Sequence, residues 1–309
     1  MNKEKKIATR ESYGNIIAEM GKKNDKIIVL DADLSTATKT NIFAKKFPER
    51  FFNIGIAEQD LFSTAAGMAT CGNIPYASTF AVFAAGRAYD QIRNSIAYPN
   101  LNVKICATHA GVTVGEDGAT HQMVEDISLM RTIPNMKVVS PSDDTQTKWL
   151  IEEISKHENP FYVRLCRFKT PIIYNQNQKF ELGKGVQIGE GTDATIIATG
   201  VTVYQAILAK QELENMGINV RVLDIHTIKP IDKEIIVRCA RETKKTITVE
   251  DHNIIGGLGS AVCEVLSELY PIKVSRLGIK DMFGKSGKVE ELLTYFEIDK
   301  KAIINEILK

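Results

Sequence analysis

The sequence predicts an α/β fold of two doubly wound domains, each a mostly parallel sheet flanked by helices, and three observations carry that expectation. Short β-branched runs alternate with helical patterns along the whole chain. Most of these runs are almost continuously apolar, as strands covered on both faces are. At 309 residues the chain exceeds one ordinary domain, and the polar, aperiodic stretch KTPIIYNQNQKFELGKG divides it. The expected layout is a first domain over 1–175, a linker over 176–189 and a second domain over 190–309.

In the first domain the strand candidates, in order, are KIIVLDA, FFNIGI, YASTFAV, VKICATH, MKVVSP and FYVRLC. Helical patterns accompany them: RESYGNIIAEMGKK, EQDLFSTAAGMAT, AGRAYDQIRNSIAY and DDTQTKWLIEEISKH, the last capped by Ser142 after the breaker Pro141. Beyond the linker come ATIIATG, helical VYQAILAKQELENMG, INVRVLDI, helical KEIIVRCARETK, KTITVE, helical GLGSAVCEVLSELY and IKVSRL. The charged amphipathic stretch KVEELLTYFEIDKKAIINEILK closes the chain.

Composition narrows the function classes. Hydrophobic residues make up 44% and charged residues 25%, ample for two packed cores. The 39 basic and 38 acidic residues give a net charge of +1 with no long single-sign run, so a basic nucleic-acid surface is not expected. No apolar stretch approaches the roughly 18–20 residues of a membrane span, and the N-terminal stretch has no apolar core of a signal peptide. Cys71, Cys106, Cys166, Cys239 and Cys263 form no CxxC pair, which argues against a disulfide framework or a zinc site. The expected location is the cytoplasm.

Three segments of the first domain concentrate polar groups at strand ends. In FFNIGIAEQD, Glu58 follows an apolar or small run. It reads either as a first-turn carboxylate favoured by the helix dipole or as a hydrogen-bonding acid in a pocket. In STFAVFAAGRAYDQIR, Phe80 and Phe83 read as core aromatics or as a stacking wall for a flat heteroaromatic ring. In ATHAGVTVGEDGATHQMVED, His109, Glu116, Asp117 and His121 share a stretch broken by Gly111, Gly115 and Gly118. The histidine spacing is not that of a zinc motif. Imidazoles on such a loop suit proton transfer or hydrogen bonding to a hydroxylated substrate.

Together, IGIAEQD, STFAVFAAGRAYDQIR and THAGVTVGEDGATHQMVED resemble the pyrimidine-binding domain of transketolases, and VEDHNIIGGLGSAV resembles their C-terminal domain. ATRESYG and DADLS fit the same family. The resemblance implies a thiamine-diphosphate enzyme moving a two-carbon ketol unit between sugar phosphates. Under it, Glu58 matches the glutamate that hydrogen-bonds the aminopyrimidine N1′, and Phe80 and Phe83 match the aromatic pocket around that ring, with Phe83 the stacking face. Asp33 matches an acidic residue on the pyrimidine side. His109 and His121 match histidines of the substrate channel, and Asp117 matches an aspartate that recognises a sugar hydroxyl. Arg10 and Arg167 match two phosphate-holding arginines, with Arg164 a rival for the second.

Two departures qualify the match. Ala37 stands where the family often has a phosphate-binding serine, with Thr36 and Thr38 as the neighbouring hydroxyls. No GDG string occurs in the chain. The resemblance then implies a half-enzyme whose partner, an N-terminal transketolase subunit bearing GDG, holds the diphosphate and Mg2+ (or Ca2+), in an α2β2 heterotetramer. No metal ligand is expected on this chain. His226, Glu250 and His252 of the second domain are expected to be structural. The alternatives are a 1-deoxyxylulose-phosphate synthase-like or 2-oxoacid dehydrogenase β-like subunit, a variant acting on a sulfonated or branched sugar, and a noncatalytic scaffold subunit.

Overall fold

The computed structural model describes residues 5–309, so the first four residues of the expected first domain lie outside it. A seven-stranded sheet runs in the order Thr227–Lys229, Lys137–Val139, Phe161–Arg164, Lys104–Thr108, Ile74–Phe80, Ile27–Asp31, Phe51–Asn53. All its pairings are parallel except the first, between Thr227–Lys229 and Lys137–Val139. A five-stranded sheet runs in the order Val274–Ile279, Lys245–Asn253, Ala194–Ala198, Val220–Asp224, Val186–Ile188, and only its last pairing is antiparallel.

The near-continuous apolar strands arise because helices cover both faces of each sheet. Successive strand residues point to opposite faces, and here both sides are core. Leu30, Ala77 and Ile105 join one cluster with Phe62 and Ile92, while Val29, Tyr76 and Cys106 join another with Tyr13 and Phe43. The second sheet repeats the pattern, with Ile196 and Val222 in one cluster and Ile197 and Leu223 in another. Each fully buried Val, Leu, Ile or Phe among them contributes about 1.5–3 kcal/mol.

Four local expectations change. Asp143, not Ser142, caps the helix Asp144–Ile154: its carboxylate accepts from Gln146 N–H at 2.8 Å. Ser142 instead donates to Asp224 at 2.9 Å. The helix read in AGRAYDQIRNSIAY is a π-helical turn, Val82–Arg87, a short α segment, Tyr89–Gln91, and a second π turn, Ile92–Ala97. The closing stretch is two helices, Val289–Tyr295 and Lys300–Leu308, because Glu297 takes φ 55° and Asp299 starts a new cap on Ala302 N–H. The expected linker is partly paired, since Val186–Ile188 joins the second sheet, and just before it Lys169–Pro171, within the expected first domain, runs antiparallel to Lys6–Ala8.

The chain also crosses back. Thr227–Lys229, from the second half of the sequence, extends the first sheet. Among the described residues, no helix is long and apolar enough to cross a membrane.

Candidate active site

The polar groups singled out in the sequence collect at the carboxyl edge of the seven-stranded sheet, where ligands of open parallel sheets bind. The chain leaves Ile27–Asp31 into Asp33, Ile74–Phe80 into Phe83, and Lys104–Thr108 into His109. Asp33 and His109 both take left-handed backbone, φ 62° and 58°. Such conformations cost about 1–2 kcal/mol outside glycine and collect at functional sites.

Glu58 is the first residue of the helix Glu58–Thr70 and is 2% exposed. It sits in the first turn, where the helix dipole favours a carboxylate, and it is buried there. Arg87 Nη1 donates to its Oε2 at 2.7 Å. Sequence reasoning missed Arg87, although it lies four residues after Phe83 in FAAGRAYD and so on the same side of any helical turn.

Phe80 and Phe83 form a stacked pair, centroids 5.8 Å apart and planes at 11°. Phe80 is nearly buried and lies against the His109 ring at 3.7 Å, whereas Phe83 is partly open and meets His121 edge-on at 5.7 Å. Phe80 thus backs the wall and Phe83 offers a face.

The His109 tautomer follows from its partners. Arg10 can only donate, and its Nη1 lies 3.1 Å from His109 Nε2, so Nε2 accepts and Nδ1–H donates to Thr108 Oγ1 at 2.8 Å. Burial first, then the Arg10 and Arg167 charges, press the imidazole down to about 3, which keeps it neutral. His121 is half-buried, with Nδ1 2.9 Å from Thr120 Oγ1.

Arg10 and Arg167 approach from either side of this loop. Arg10 Nη1 also donates to the Ala37 carbonyl at 2.9 Å, and its buried Nε has no partner among the described residues. The segment without the serine is therefore bound to Arg10 through its backbone. Thr38 is not a free hydroxyl: it donates to Asp31 at 2.7 Å, as Thr40 does at 2.9 Å, and only Thr36 is exposed. Burial and the neighbouring Arg167 lower the Arg10 pKa, a like-charge tension that an anion would relieve.

Arg167 donates to Val114 O at 2.9 Å and pairs with Asp117 at 3.1 Å. Arg164, its rival, points elsewhere. It is buried, with Nε donating to Asp126 at 2.8 Å and Nη2 to Asp251 O at 2.8 Å. Asp33 is exposed and held by Asn53, whose Nδ2 donates to the Asp33 carboxylate at 3.0 Å.

The second domain shapes the glycine-broken loop. Asp251 accepts from Val112 N–H at 2.8 Å and from Thr113 N–H and hydroxyl at 3.2 and 2.7 Å. Gly111 takes φ 76°, and a Cβ there would overlap the Asp251 carboxylate, so glycine is required on both counts. Gln122 Nε2 donates to Val112 O, Gly115 O and Lys285 O at 3.2, 3.0 and 2.9 Å. His226, Glu250 and His252, expected to be structural, all lie buried within the fold. His252 Nε2 accepts from Ile127 N–H at 3.1 Å, and His226 packs against Trp149. Glu250 accepts from Leu258 and Gly259 N–H at 2.6 and 2.8 Å.

Comparison with known proteins fits this geometry. Residues 5–171 match the transketolase pyrimidine-binding domain, and residues 183–303 match the transketolase C-terminal domain. A Methanocaldococcus jannaschii protein, provisionally named a transketolase C-terminal section, is 52% identical over 97% of this chain and 95% of its own. A solved structure of a split-gene transketolase, described as an inactive beta4 tetramer, superposes with TM-score 0.91 at 51% identity, covering 98% of this chain and 97% of that one. A 6-deoxy-6-sulfo-D-fructose transketolase subunit from Clostridium sp. is 40% identical over 96% of this chain and 92% of its own. The rat transketolase is also 40% identical over 98% of this chain, but the chain spans only 49% of that protein.

Proposed function

The chain belongs to the transketolase family, and on that premise we propose that it is one subunit of a two-chain, thiamine-diphosphate-dependent transketolase. In this reading it contributes the pyrimidine side of the active site. A partner chain bearing the GDG motif contributes the diphosphate side and Mg2+ (or Ca2+). The observation that carries the reading is the almost fully buried Glu58 carboxylate and the partly exposed Phe83 ring, both reached by the same Arg87 guanidinium. That pair fits an aminopyrimidine, which has a ring nitrogen to hydrogen-bond and a flat face to cover.

When bound, the cofactor supplies the carbon nucleophile and electron sink for carrying a two-carbon ketol unit from a ketose to an aldose. The chain's own residues orient and polarise. Glu58 shares a proton with the pyrimidine N1′, Phe83 covers one ring face and Phe80 keeps Phe83 in place. Neutral His109 and half-open His121 face the substrate hydroxyls and carbonyl, with Asp117 on the same loop. Arg10 and Arg167 take the anionic end of the sugar, for which guanidinium forks are suited. Once Arg10 turns to that anion, His109 Nε2 becomes free to accept a substrate hydroxyl.

Two copies of each chain would complete the assembly. Ile56, Tyr98 and Phe283, 79%, 86% and 83% exposed, are the kind of apolar surface that interfaces cover. The terminal anion is taken as phosphate. A sulfonate is the second reading, favoured because the chain matches the sulfosugar subunit over 92% of its length but the rat enzyme over only 49%, at the same 40% identity. Comparing kcat/KM for sugar phosphates and their sulfonate analogues separates the two. The central test is Glu58→Gln in the reconstituted complex. A loss of about 10²–10⁴-fold in kcat, as for a general acid–base group, is expected, and undiminished turnover would sink the assignment.

A further inference from the structure

Arg87 meets the two groups that the pyrimidine is expected to use. Its Nη1 donates to Glu58 Oε2 at 2.7 Å, and its Cζ lies 4.6 Å from the centre of the Phe83 ring. A guanidinium is flat, cationic and rich in N–H donors, so it can satisfy a carboxylate and cover an aromatic face at the same time. An aminopyrimidine seated between Glu58 and Phe83 would make the same two kinds of contact. Both cannot be there together.

The backbone explains why Arg87 reaches this place. In the π turn Val82–Arg87, Ala88 N–H bonds to Phe83 O, a five-residue step at 3.3 Å. That wider turn brings position 87 closer to directly above position 83 than an α-helix would. The pair is also lopsided in burial. Glu58 is 2% exposed, whereas the Arg87 side chain is 50% exposed. Arg87 can swing into water at small cost, while the carboxylate stays buried and needs a partner whenever Arg87 is away.

We propose that Arg87 is a displaceable stand-in for the pyrimidine: it holds Glu58 and covers Phe83 in the cofactor-free chain, and it leaves when an aminopyrimidine binds. The proposal rests on the reading of Glu58 and Phe83 as the pyrimidine site. It makes Arg87 a positioning residue whose effect is on cofactor affinity rather than on the reacting atoms.

The test is calorimetric titration of thiamine diphosphate, with Mg2+, into the complex of this chain with its GDG-bearing partner. Wild type, Arg87→Ala, Arg87→Gln and the same Arg87 changes in a Glu58→Gln background are compared. Removing the competitor is expected to tighten cofactor binding about tenfold, or ~1.4 kcal/mol, in both single Arg87 variants. In the Glu58→Gln background the gain is expected to shrink to the share that comes from uncovering Phe83, because no ion pair is left to break. The Arg87→Gln variant, close in size, keeps the comparison valid if the alanine variant assembles poorly. Unchanged or weaker binding in the single variants overturns the stand-in role and leaves the cofactor assignment standing. An equal gain with and without Glu58 overturns it too. No binding by the wild-type complex overturns the cofactor assignment and the stand-in role with it.

Discussion

His109 combines burial, a left-handed backbone and a fixed tautomer, and its acid–base behaviour follows from all three. Its pKa is about 3 in the folded chain against an ordinary 6.5. The unfolded chain therefore binds a proton between those values that the folded chain refuses. Stability then rises with pH across that window, and acid weakens the fold from about pH 6.5 downward. Going from pH 7 to pH 5 should cost about 2 kcal/mol through this residue alone, at ~1.4 kcal/mol per unit. His226 and His252, both held near 4 by burial, push the same way. Buried Asp31, raised to about 6, opposes them, because a folded carboxyl that holds its proton gains stability as pH falls. Urea denaturation of wild type and His109→Asn at both pH values isolates the histidine. The variant should lose less stability on acidification, and equal losses would contradict a buried neutral imidazole.

At the scale of elements, the loop carrying His109, Asp117 and His121 owes its shape to a strand from the other domain. The second domain reaches this loop through a carboxylate. Its Asp251 fixes the backbone at Val112 and Thr113. Asp251→Ala leaves two N–H groups and a hydroxyl without acceptors, each costing about 1–3 kcal/mol when buried. The expected result is a loss of roughly 3 kcal/mol, allowing for partial relaxation, together with faster hydrogen exchange at the Val112 and Thr113 amides. Unchanged exchange would show that the loop holds itself.

The same network shows what the sequence could and could not reveal. The α/β class was legible because alternating side chains such as Val29 and Leu30 enter cores on opposite faces, which forces continuous apolar runs. The strand-end residues were legible from their polarity and the glycines between them. Arg87, Asp126, Arg164 and Asp251 were not, since their meaning lies in partners 29 to 139 residues away. The π turns were hidden because their side chains follow a helical pattern and differ only in the backbone step. Thr227–Lys229 was missed as a strand because three residues carry no periodicity, and its partner lies in the other half of the sequence.

Across the whole molecule, the two halves are joined by a buried charge network as well as by the chain. Arg164 pairs with Asp126 and donates to Asp251 O, while His252 accepts from Ile127 N–H. Breaking a buried pair on one side typically costs about 3–5 kcal/mol. Arg164→Met should therefore lower stability by an amount in that range in chemical denaturation, with both domains responding together. A loss under about 1 kcal/mol, the level of a surface pair, would show that the interface does not depend on the pair. Ile56 stands exposed two residues before Glu58, so a partner covering it would lie close to that carboxylate. The proposed two-chain reading ties activity to assembly, and one experiment addresses it directly. Ketol transfer is measured with thiamine diphosphate and Mg2+ for this chain alone, for a GDG-bearing partner alone, and for the two mixed. Turnover only in the mixture, saturating as the two chains approach equal amounts, is the predicted result; full turnover by this chain alone would contradict the account.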